Sequence, residues 1–238
     1  TSSNAVLSLF GPKARDILQL VTQNDVSDNG HPFGSARQIS IAGCPVLALR
    51  ITYVGELGWE LHLPIEYAQT IYNTLIEAGS PLGLRNAGYR AIETLRLEKG
   101  YRAWSSDIGP DHTPDEAGLG WAVKMKSNIS FKGREAIAIQ RAEGIKKIMA
   151  SFTTDSEVIL SGRETIYRNG ERCGWLSSAG FGHTIGKFIG MGYVRNDGYI
   201  DRDFVLSGEY ELEVATKRVR ANVCLKALYD PKLEKVKT

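Results

Sequence analysis

A short segment joins a tyrosine to a glutamate through two glycines, and this spacing could support recognition of a ligand. Residues 53–60 begin at Tyr53, pass Gly55 and Gly58, and end at Glu60. Glycines permit a tight reversal, after which the Glu60 carboxylate and the Tyr53 phenol could face the same side. A carboxylate accepts two parallel N–H bonds, as an amino-heterocycle such as a pterin offers. The competing interpretation is an exposed hairpin with a solvated glutamate and a packing tyrosine.

Other catalytic and metal-binding signatures are absent from the sequence. It has no nucleophile elbow, phosphate-binding loop, zinc-protease motif or dinucleotide fingerprint. The histidines lack metal-ligand spacing and are expected at surface or loop positions; they are His31, His62, His112 and His183. The three cysteines are far apart, which favours reduced thiols in an intracellular compartment. We therefore predict no metal site, and the motifs name no catalytic residue.

Composition excludes several classes of partner. The chain has 238 residues, of which 42% are hydrophobic and 24% charged, as is typical of a globular protein. The net charge of +2 provides no basic field for nucleic acid or an anionic membrane. No apolar run approaches the roughly 20 residues of a membrane span, and the first residues lack the features of a targeting peptide.

The first part of the chain reads as a mixture of strands and helices that could position residues 53–60. Strands are predicted at 5–10, 36–42, 46–53 and 59–63, with a turn at Gly43–Pro45. Alternation in the last strand places Trp59 in the core and Glu60 on the opposite face. One helix is predicted to open at Gly11–Pro12 and continue through Val21, and two more to cover 66–78, with Gly79 as cap, and 86–97. Asn86 is the predicted N-cap of the last helix, which ends at Gly100.

Near Ile145, the sequence pattern changes from helical periodicity to short strands separated by turns. Residues 105–118 predict an ordered loop, residues 121–125 a strand, and residues 133–143 a helix. Six short strands follow, at 148–153, 165–167, 172–177, 188–194, 210–215 and 219–225. Asn169–Gly170 indicates a tight hairpin between two of them. We predict an α+β fold, with an α/β domain over residues 1–145 and a small antiparallel β-barrel over residues 146–238.

Several ordered motifs resemble the glycine-cleavage T-protein (aminomethyltransferase) family. They lie at residues 9–14, 95–101 and 113–119, and continue at 166–170, 191–194 and 229–231. The resemblance therefore covers essentially the whole chain. Residues 53–60, 88–92 and 98–101 are most similar to the C-terminal region of the sarcosine and dimethylglycine dehydrogenases. The matching pattern starts inside the family's folate-binding region, so the first domain is expected to be the C-terminal part of a T-protein-like folate-binding domain.

The resemblance implies a tetrahydrofolate site. In the family, the positions matched by Tyr53 and Glu60 hold the pterin, Glu60 through its carboxylate. Tyr101 matches an aromatic residue that lines the site, and could stack or donate a hydrogen bond. The resemblance favours structural pairing at the end of a helix, rather than catalysis, for Arg96 and Glu98.

The resemblance also implies a reaction and its partners. In the dehydrogenases, an FAD-containing domain of the same parent chain oxidises an N-methyl amine, and the resulting iminium meets tetrahydrofolate to form methylene-tetrahydrofolate. The small-molecule partners would be folate and the iminium, with no nucleic acid and no membrane. The expected location is the mitochondrial matrix in a eukaryote and the cytoplasm otherwise.

Two departures from the family pattern leave alternatives open. Ala91-Ile92-Glu93 stands where T-proteins commonly have Ala-Arg-Asp. The family segment with the catalytic aspartate, and the FAD domain, have no counterpart in these residues, so the chain alone is expected to have little transferase activity. The alternatives are an aminomethyltransferase fragment of the glycine cleavage system and a non-catalytic domain related to the regulatory subunit of pyruvate dehydrogenase phosphatase. The barrel could also serve mainly to pack and close the site.

Overall fold

The computed structural model describes residues 2–238, which form two compact units. The first unit extends to Ile92 and includes Asp230–Thr238, and the second is Glu93–Tyr229. The domain boundary near Ile145 stays a prediction, and a strand begins at that residue. No helix among the described residues combines the length and apolar character that a bilayer span requires.

The first unit is built on a four-stranded antiparallel sheet. Its strand order is β1-β4-β3-β2, with β1 at Asn4–Phe10, β2 at Ala36–Ile41, β3 at Cys44–Leu49 and β4 at Gly58–Pro64. Its helices include α1 at Ala14–Val21 and α2 at Ala68–Gly79. Apolar side chains of the sheet and of both helices form one core, whose buried members include Leu18, Val46, Trp59, Leu61 and Ile71.

The hairpin between β2 and β3 turns earlier than the sequence predicted. Ile41 pairs with Cys44, so the turn consists of Ala42 and Gly43 rather than Gly43–Pro45. Both turn residues have positive φ, 51° and 78°, which is the conformation of a two-residue hairpin turn whose twist matches the strands. Pro45 therefore lies inside β3 and not in the turn.

Two predicted helix caps are wrong. Gly79 is the last residue of α2, and a short 3-10 helix at Ser80–Leu82 delays the left-handed cap to Gly83. The next helix, α3, spans Tyr89–Glu98. Asn86 does not cap it, because the helix begins three residues after Asn86; the Asn86 side-chain amide donates a hydrogen bond to the Tyr72 hydroxyl at 2.7 Å.

The second unit contains a closed antiparallel barrel, which confirms the predicted barrel. The strand order is β10-β5-β8-β7-β6-β9. Their bounds are Ile145–Thr154 for β5, Thr165–Arg168 for β6, Glu171–Gly182 for β7, Lys187–Ile200 for β8, Tyr210–Val214 for β9 and Lys217–Cys224 for β10. The predicted Asn169–Gly170 turn joins β6 to β7, and both residues have positive φ.

Between α3 and the barrel, the chain is mostly irregular. Residues 105–118 form the predicted loop, and α4 spans Arg134–Glu143. The strand predicted at 121–125 is wrong: Gly120–Ala122 is a single 3-10 turn and the Trp121 side chain is exposed.

The short helices α5 at Arg202–Leu206 and α6 at Glu234–Lys237 were not predicted, since neither is long enough to show helical periodicity.

Candidate functional site

The sheet of the first unit presents Glu60 on the face opposite to its core. Trp59, Leu61 and Leu63 are buried, whereas Glu60 and His62 alternate with them and are partly exposed. Successive side chains of a strand point to opposite faces, so this alternation fixes the direction of Glu60. The prediction that Glu60 projects from the non-core face of a sheet is confirmed.

The Glu60 carboxylate retains capacity to accept hydrogen bonds. In the sheet register it lies between Ser8 of β1 and Leu49 of β3. The side chain is 29% exposed, and His62 Nε2 lies 3.3 Å from Glu60 Oε2. Among residues 2–238, its carboxylate makes no other hydrogen bond or ion pair. An ionised carboxylate has about four acceptor positions, so this group can accept a pair of N–H donors from a planar ligand.

Tyr53 lies in an irregular segment rather than at the end of a strand. The strand predicted over 46–53 ends at Leu49, and bends occupy residues 53–57. The Thr52 hydroxyl accepts the backbone N–H groups of Val54 and Gly55 at 3.2 and 3.1 Å, which closes a local turn. Tyr53 is partly buried and belongs to the same unit as Glu60. Its part in ligand binding stays a prediction.

Arg50, the residue that follows β3, has a buried and well-partnered side chain. Arg50 is 1% exposed, donates to His31 O at 2.9 Å and Thr238 O at 3.1 Å, and is ion-paired with Asp28. Its guanidinium also lies 5.7 Å from the Trp59 ring centroid. A buried guanidinium requires such partners, and the main chain of Arg50 is also paired, with Ser35 O and the Gly34 N–H at 2.9 Å each. The sequence analysis missed Arg50, although an arginine directly after the apolar run 45–49 was an available signal.

His31 lies in the loop after α1, within the predicted surface or loop positions, but it is completely buried. The Trp59 indole N–H donates to His31 Nδ1 at 3.3 Å. Burial lowers the pKa of His31, which keeps the ring neutral. Nowhere in the described part of the chain do three or more His, Cys, Asp or Glu side chains converge in a way that could hold a metal ion.

In the second unit, Tyr101 follows a glycine that terminates α3. Gly100 has φ of +68° and donates to Leu97 O at 3.0 Å, while the Tyr101 N–H donates to Arg96 O at 2.9 Å. This pair of bonds defines a Schellman cap and confirms the predicted end at Gly100. Arg96 Nη1 also donates to Tyr101 O at 3.2 Å. The backbone of Tyr101 is thus fixed, whereas its contact with folate stays a prediction.

We expect Gly100→Ala to lower the free energy of unfolding by about 1 kcal/mol, since a residue with a side chain resists the left-handed conformation. The added Cβ would meet only Ala227 Cα, at an ordinary 3.9 Å, so the effect isolates backbone strain. Urea unfolding would measure it. Gly109→Ala is the control, because Gly109 lies in the same unit with open space around it. Equal stability of both variants would contradict the cap's importance.

A buried ion pair lies beside this cap. Arg96 is 2% exposed and Asp107 0%, and Arg96 Nη1 lies 2.5 Å from Asp107 Oδ2. The other Asp107 oxygen accepts the hydroxyls of Ser177 and Ser178 at 2.5 and 2.7 Å. Burial disfavours the charged guanidinium, but Asp107 and Glu93 outweigh it and hold the pKa of Arg96 above its ordinary value. These contacts fit a structural role for Arg96.

Glu98 forms a second buried attachment of α3 to the rest of its unit. It is 1% exposed, and its Oε1 accepts the backbone N–H groups of Thr184 and Ile185 at 2.7 and 3.0 Å. Its backbone oxygen accepts the N–H groups of Leu228 and Tyr229 at 3.0 and 2.9 Å. With both the carboxylate and the carbonyl committed to backbone donors, Glu98 also fits a structural role.

Two family models match the chain. The GCVT N-terminal domain matches residues 1–127, and the glycine cleavage T-protein C-terminal barrel domain matches residues 147–230. The chain belongs to the glycine cleavage T-protein family. Membership confirms the resemblance seen in the motifs.

Relatives within this family have different names and much longer chains. The chain is 44% identical to the mitochondrial sarcosine dehydrogenase of Mus musculus, over 98% of this chain and 26% of that protein. It is 33% identical to the mitochondrial pyruvate dehydrogenase phosphatase regulatory subunit of Mus musculus, over 92% of this chain and 26% of that protein. The chain therefore spans about a quarter of the length of these relatives.

A solved structure from the family has the same fold. The glycine cleavage system aminomethyltransferase T of Bartonella henselae aligns with a TM-score of 0.80 and 24% identity, over 96% of this chain and 60% of that chain. At this identity, the alignment shows the fold alone.

Proposed function

We propose that the chain is the tetrahydrofolate-binding, one-carbon transfer region of an N-methyl amine dehydrogenase of the sarcosine or dimethylglycine type. The observation that carries the proposal is the Glu60 carboxylate, partly exposed on the non-core face of its sheet with acceptor positions to spare. The 44% identity to a sarcosine dehydrogenase over nearly the whole chain supports the choice of amine dehydrogenase. The mitochondrial names of the relatives support the matrix as its location in a eukaryote.

The hydrogen-bonding groups assigned to the site fit a reduced pterin. A carboxylate that accepts two parallel N–H bonds recognises an amino-heterocycle by shape as well as charge. We assign that role to Glu60, with Tyr53 supplying a phenol from the adjoining segment of the same unit. Bound tetrahydrofolate supplies the N5 nucleophile that takes the one-carbon unit from the iminium, giving methylene-tetrahydrofolate and the demethylated amine. FAD and its dehydrogenase domain would belong to another part of the parent chain.

The contribution of these residues to the reaction is positioning. Holding the pterin at a fixed angle converts an encounter in solution into an oriented approach to the iminium carbon. Excluding water would protect that carbon from hydrolysis. Neither role requires Glu60 or Tyr53 to transfer a proton, and the catalytic residue of the reaction is not assigned.

Calorimetric titration of the 238-residue chain with 5-formyltetrahydrofolate, a stable reduced folate, tests the proposal. We expect saturable binding that Glu60→Gln weakens by more than tenfold, or about 1.4 kcal/mol, because the amide replaces an acceptor oxygen with a donor. Glu77→Gln is the matched control, since Glu77 is exposed on α2 of the same unit. Tyr101→Phe, which removes only the hydroxyl, tests that residue separately.

The contrary outcomes point to a specific second candidate. If folded Glu60→Gln binds as tightly as the wild-type chain, Glu60 does not hold the pterin. If the folded wild-type chain binds no reduced folate, a non-catalytic regulatory domain becomes the better assignment. The similarity to the regulatory subunit of pyruvate dehydrogenase phosphatase over 92% of the chain favours that second candidate.

A further inference from the structure

A cavity of about 360 Å³ on the outer wall of the barrel has no part in the proposed folate site. All of its lining residues belong to the second unit. Lys147 of β5, Arg163 of the β5–β6 connection and Arg195 of β8 bring three positive charges to it. Asp111 is the acidic residue of the lining. Cations from three separate elements therefore converge on one concavity whose lining has one carboxylate.

Two of the three cations have no anionic partner. Within residues 2–238, the guanidinium groups of Arg163 and Arg195 make neither an ion pair nor a hydrogen bond. Lys147 is partly compensated, because its ammonium donates to Asp111 O at 2.8 Å and lies 3.7 Å from Glu116 Oε2. The cavity consequently offers forked donors that are not already committed.

The Arg195 side chain and the backbone that carries Arg163 are held in place. The guanidinium of Arg195 lies 4.4 Å from the Trp175 ring centroid, a cation–π distance. The loop that carries Arg163 is fixed by Glu164, whose carboxylate accepts the backbone N–H groups of Ser161, Gly162 and Arg163 at 2.6 to 3.1 Å. A preorganised donor set loses less conformational entropy when it binds a ligand.

The floor of the cavity contains an unpartnered polar atom. The His112 ring stacks on Tyr193 with 4.6 Å between centroids, and the buried Tyr193 hydroxyl donates to Asp107 O at 3.1 Å. His112 Nδ1 is buried and has no hydrogen-bond partner in the described part of the chain. Buried polar atoms are nearly always hydrogen-bonded, so the unpartnered nitrogen indicates that a ligand or an ordered water binds in the cavity.

The charge environment of His112 agrees with a positive cavity. Burial is the first cause that lowers the pKa of His112, followed by the charge of Lys147 and, more weakly, of Arg195. Glu116 and Asp111 oppose the shift without reversing it. An anion in the cavity would favour the protonated ring, so His112 can report binding.

We propose that this cavity binds a small oxyanion with two or more negative charges, carried by phosphate or carboxylate groups. Arg163 and Arg195 would donate forked hydrogen bonds, Lys147 would add charge, and His112 would contribute its unpartnered ring nitrogen. Arginine forks match the oxygen geometry of both phosphate and carboxylate. The site is independent of Glu60, so folate binding and anion binding can fail separately.

Titration of the 238-residue chain with inorganic phosphate and with citrate, at constant ionic strength, tests this site. We expect saturable binding of at least one anion and a downfield change in the His112 ring resonances. Arg163→Gln and Arg195→Gln should each weaken binding about fivefold, as for the loss of a charge-assisted bond. Both residues are exposed, so neither change should prevent folding. Tighter binding of phosphate would identify a phosphate-type ligand, and tighter binding of citrate a polycarboxylate.

Arg220→Gln is the matched control, because Arg220 is exposed on β10 and lies outside this cavity. Its binding constant should stay within twofold of that of the wild-type chain. The proposal is wrong if neither anion shows saturable binding to the wild-type chain. It is also wrong if the Arg163→Gln and Arg195→Gln chains bind the anions with wild-type affinity. An equal loss in Arg220→Gln would also overturn it, since the attraction would then come from overall charge.

Discussion

Replacing Arg96 with methionine is expected to lower the free energy of unfolding by about 3 to 5 kcal/mol, as when one partner of a buried ion pair is removed. Asp107 is completely buried and would lose its counter-charge. The hydroxyls of Ser177 and Ser178 and the N–H of Ala103 would still donate to it, but neutral donors do not replace a full positive charge.

Urea unfolding of the Arg96→Met chain would measure this loss, and an exposed ion pair of the same residue types serves as the comparison. Arg141 donates two hydrogen bonds to Asp115 at 2.7 and 2.8 Å, but its side chain is 38% exposed. Arg141→Met should therefore cost less than about 1 kcal/mol, because exposed ion pairs contribute little. Similar losses in the two variants would mean that burial of the Arg96–Asp107 pair does not set its strength.

A second change separates lost charge pairing from lost packing. Adding Asp107→Asn to Arg96→Met removes the unpaired charge while an amide oxygen still accepts the hydroxyls of Ser177 and Ser178. We expect the double variant to recover at least about 1 kcal/mol relative to Arg96→Met. No recovery would assign the loss to the missing packing of the arginine side chain.

The barrel was predictable because its signals are local. Alternation and the Asn169–Gly170 turn located all six strands. The ends of β7 and β8 were underestimated, since these strands extend to Gly182 and Ile200 through polar and glycine-containing residues. Hydrophobic periodicity detects burial against a core, and it fades where a strand continues beyond that core.

In the candidate site, the sequence located Glu60 but not its supporting structure. The alternation of apolar and polar residues around Trp59 is a property of one short segment, so it can be recognised without knowledge of the fold. The spacing in the third helix predicts an apolar stripe of Ala87, Ala91, Ile92 and Leu95. Ala87 lies before α3 begins, however, and the buried residues of that helix are Arg96, Leu97 and Glu98.

Distance along the chain explains the residues that were missed. Asp107 follows Arg96 by 11 residues, and Ser177 follows Asp107 by 70. No periodic pattern connects positions this far apart. Arg50 likewise donates to Thr238 O, which is 188 residues further on.

Replacing Gly58 with alanine is expected to lower the free energy of unfolding by about 3 kcal/mol, as for severe overpacking. Gly58 pairs with Phe10 in the register of β4 and β1. A Cβ atom there would overlap Leu9 O and the Phe10 ring, and would lie 2.9 Å from Phe10 Cα. Since two of these neighbours are backbone atoms, β4 must move away from β1. Glu60, two residues further along β4, would move with it.

The Gly58→Ala chain should therefore show both a lower urea midpoint and weaker binding of 5-formyltetrahydrofolate. Gly88→Ala, where the new methyl group meets nothing within 4 Å, should stay within about 0.5 kcal/mol of wild-type stability. Adding Phe10→Ala to Gly58→Ala removes the ring but not the backbone contacts, so most of the loss should persist. Complete rescue would contradict the backbone explanation, and would show that the phenyl ring alone sets the distance between the strand that carries Glu60 and its neighbour.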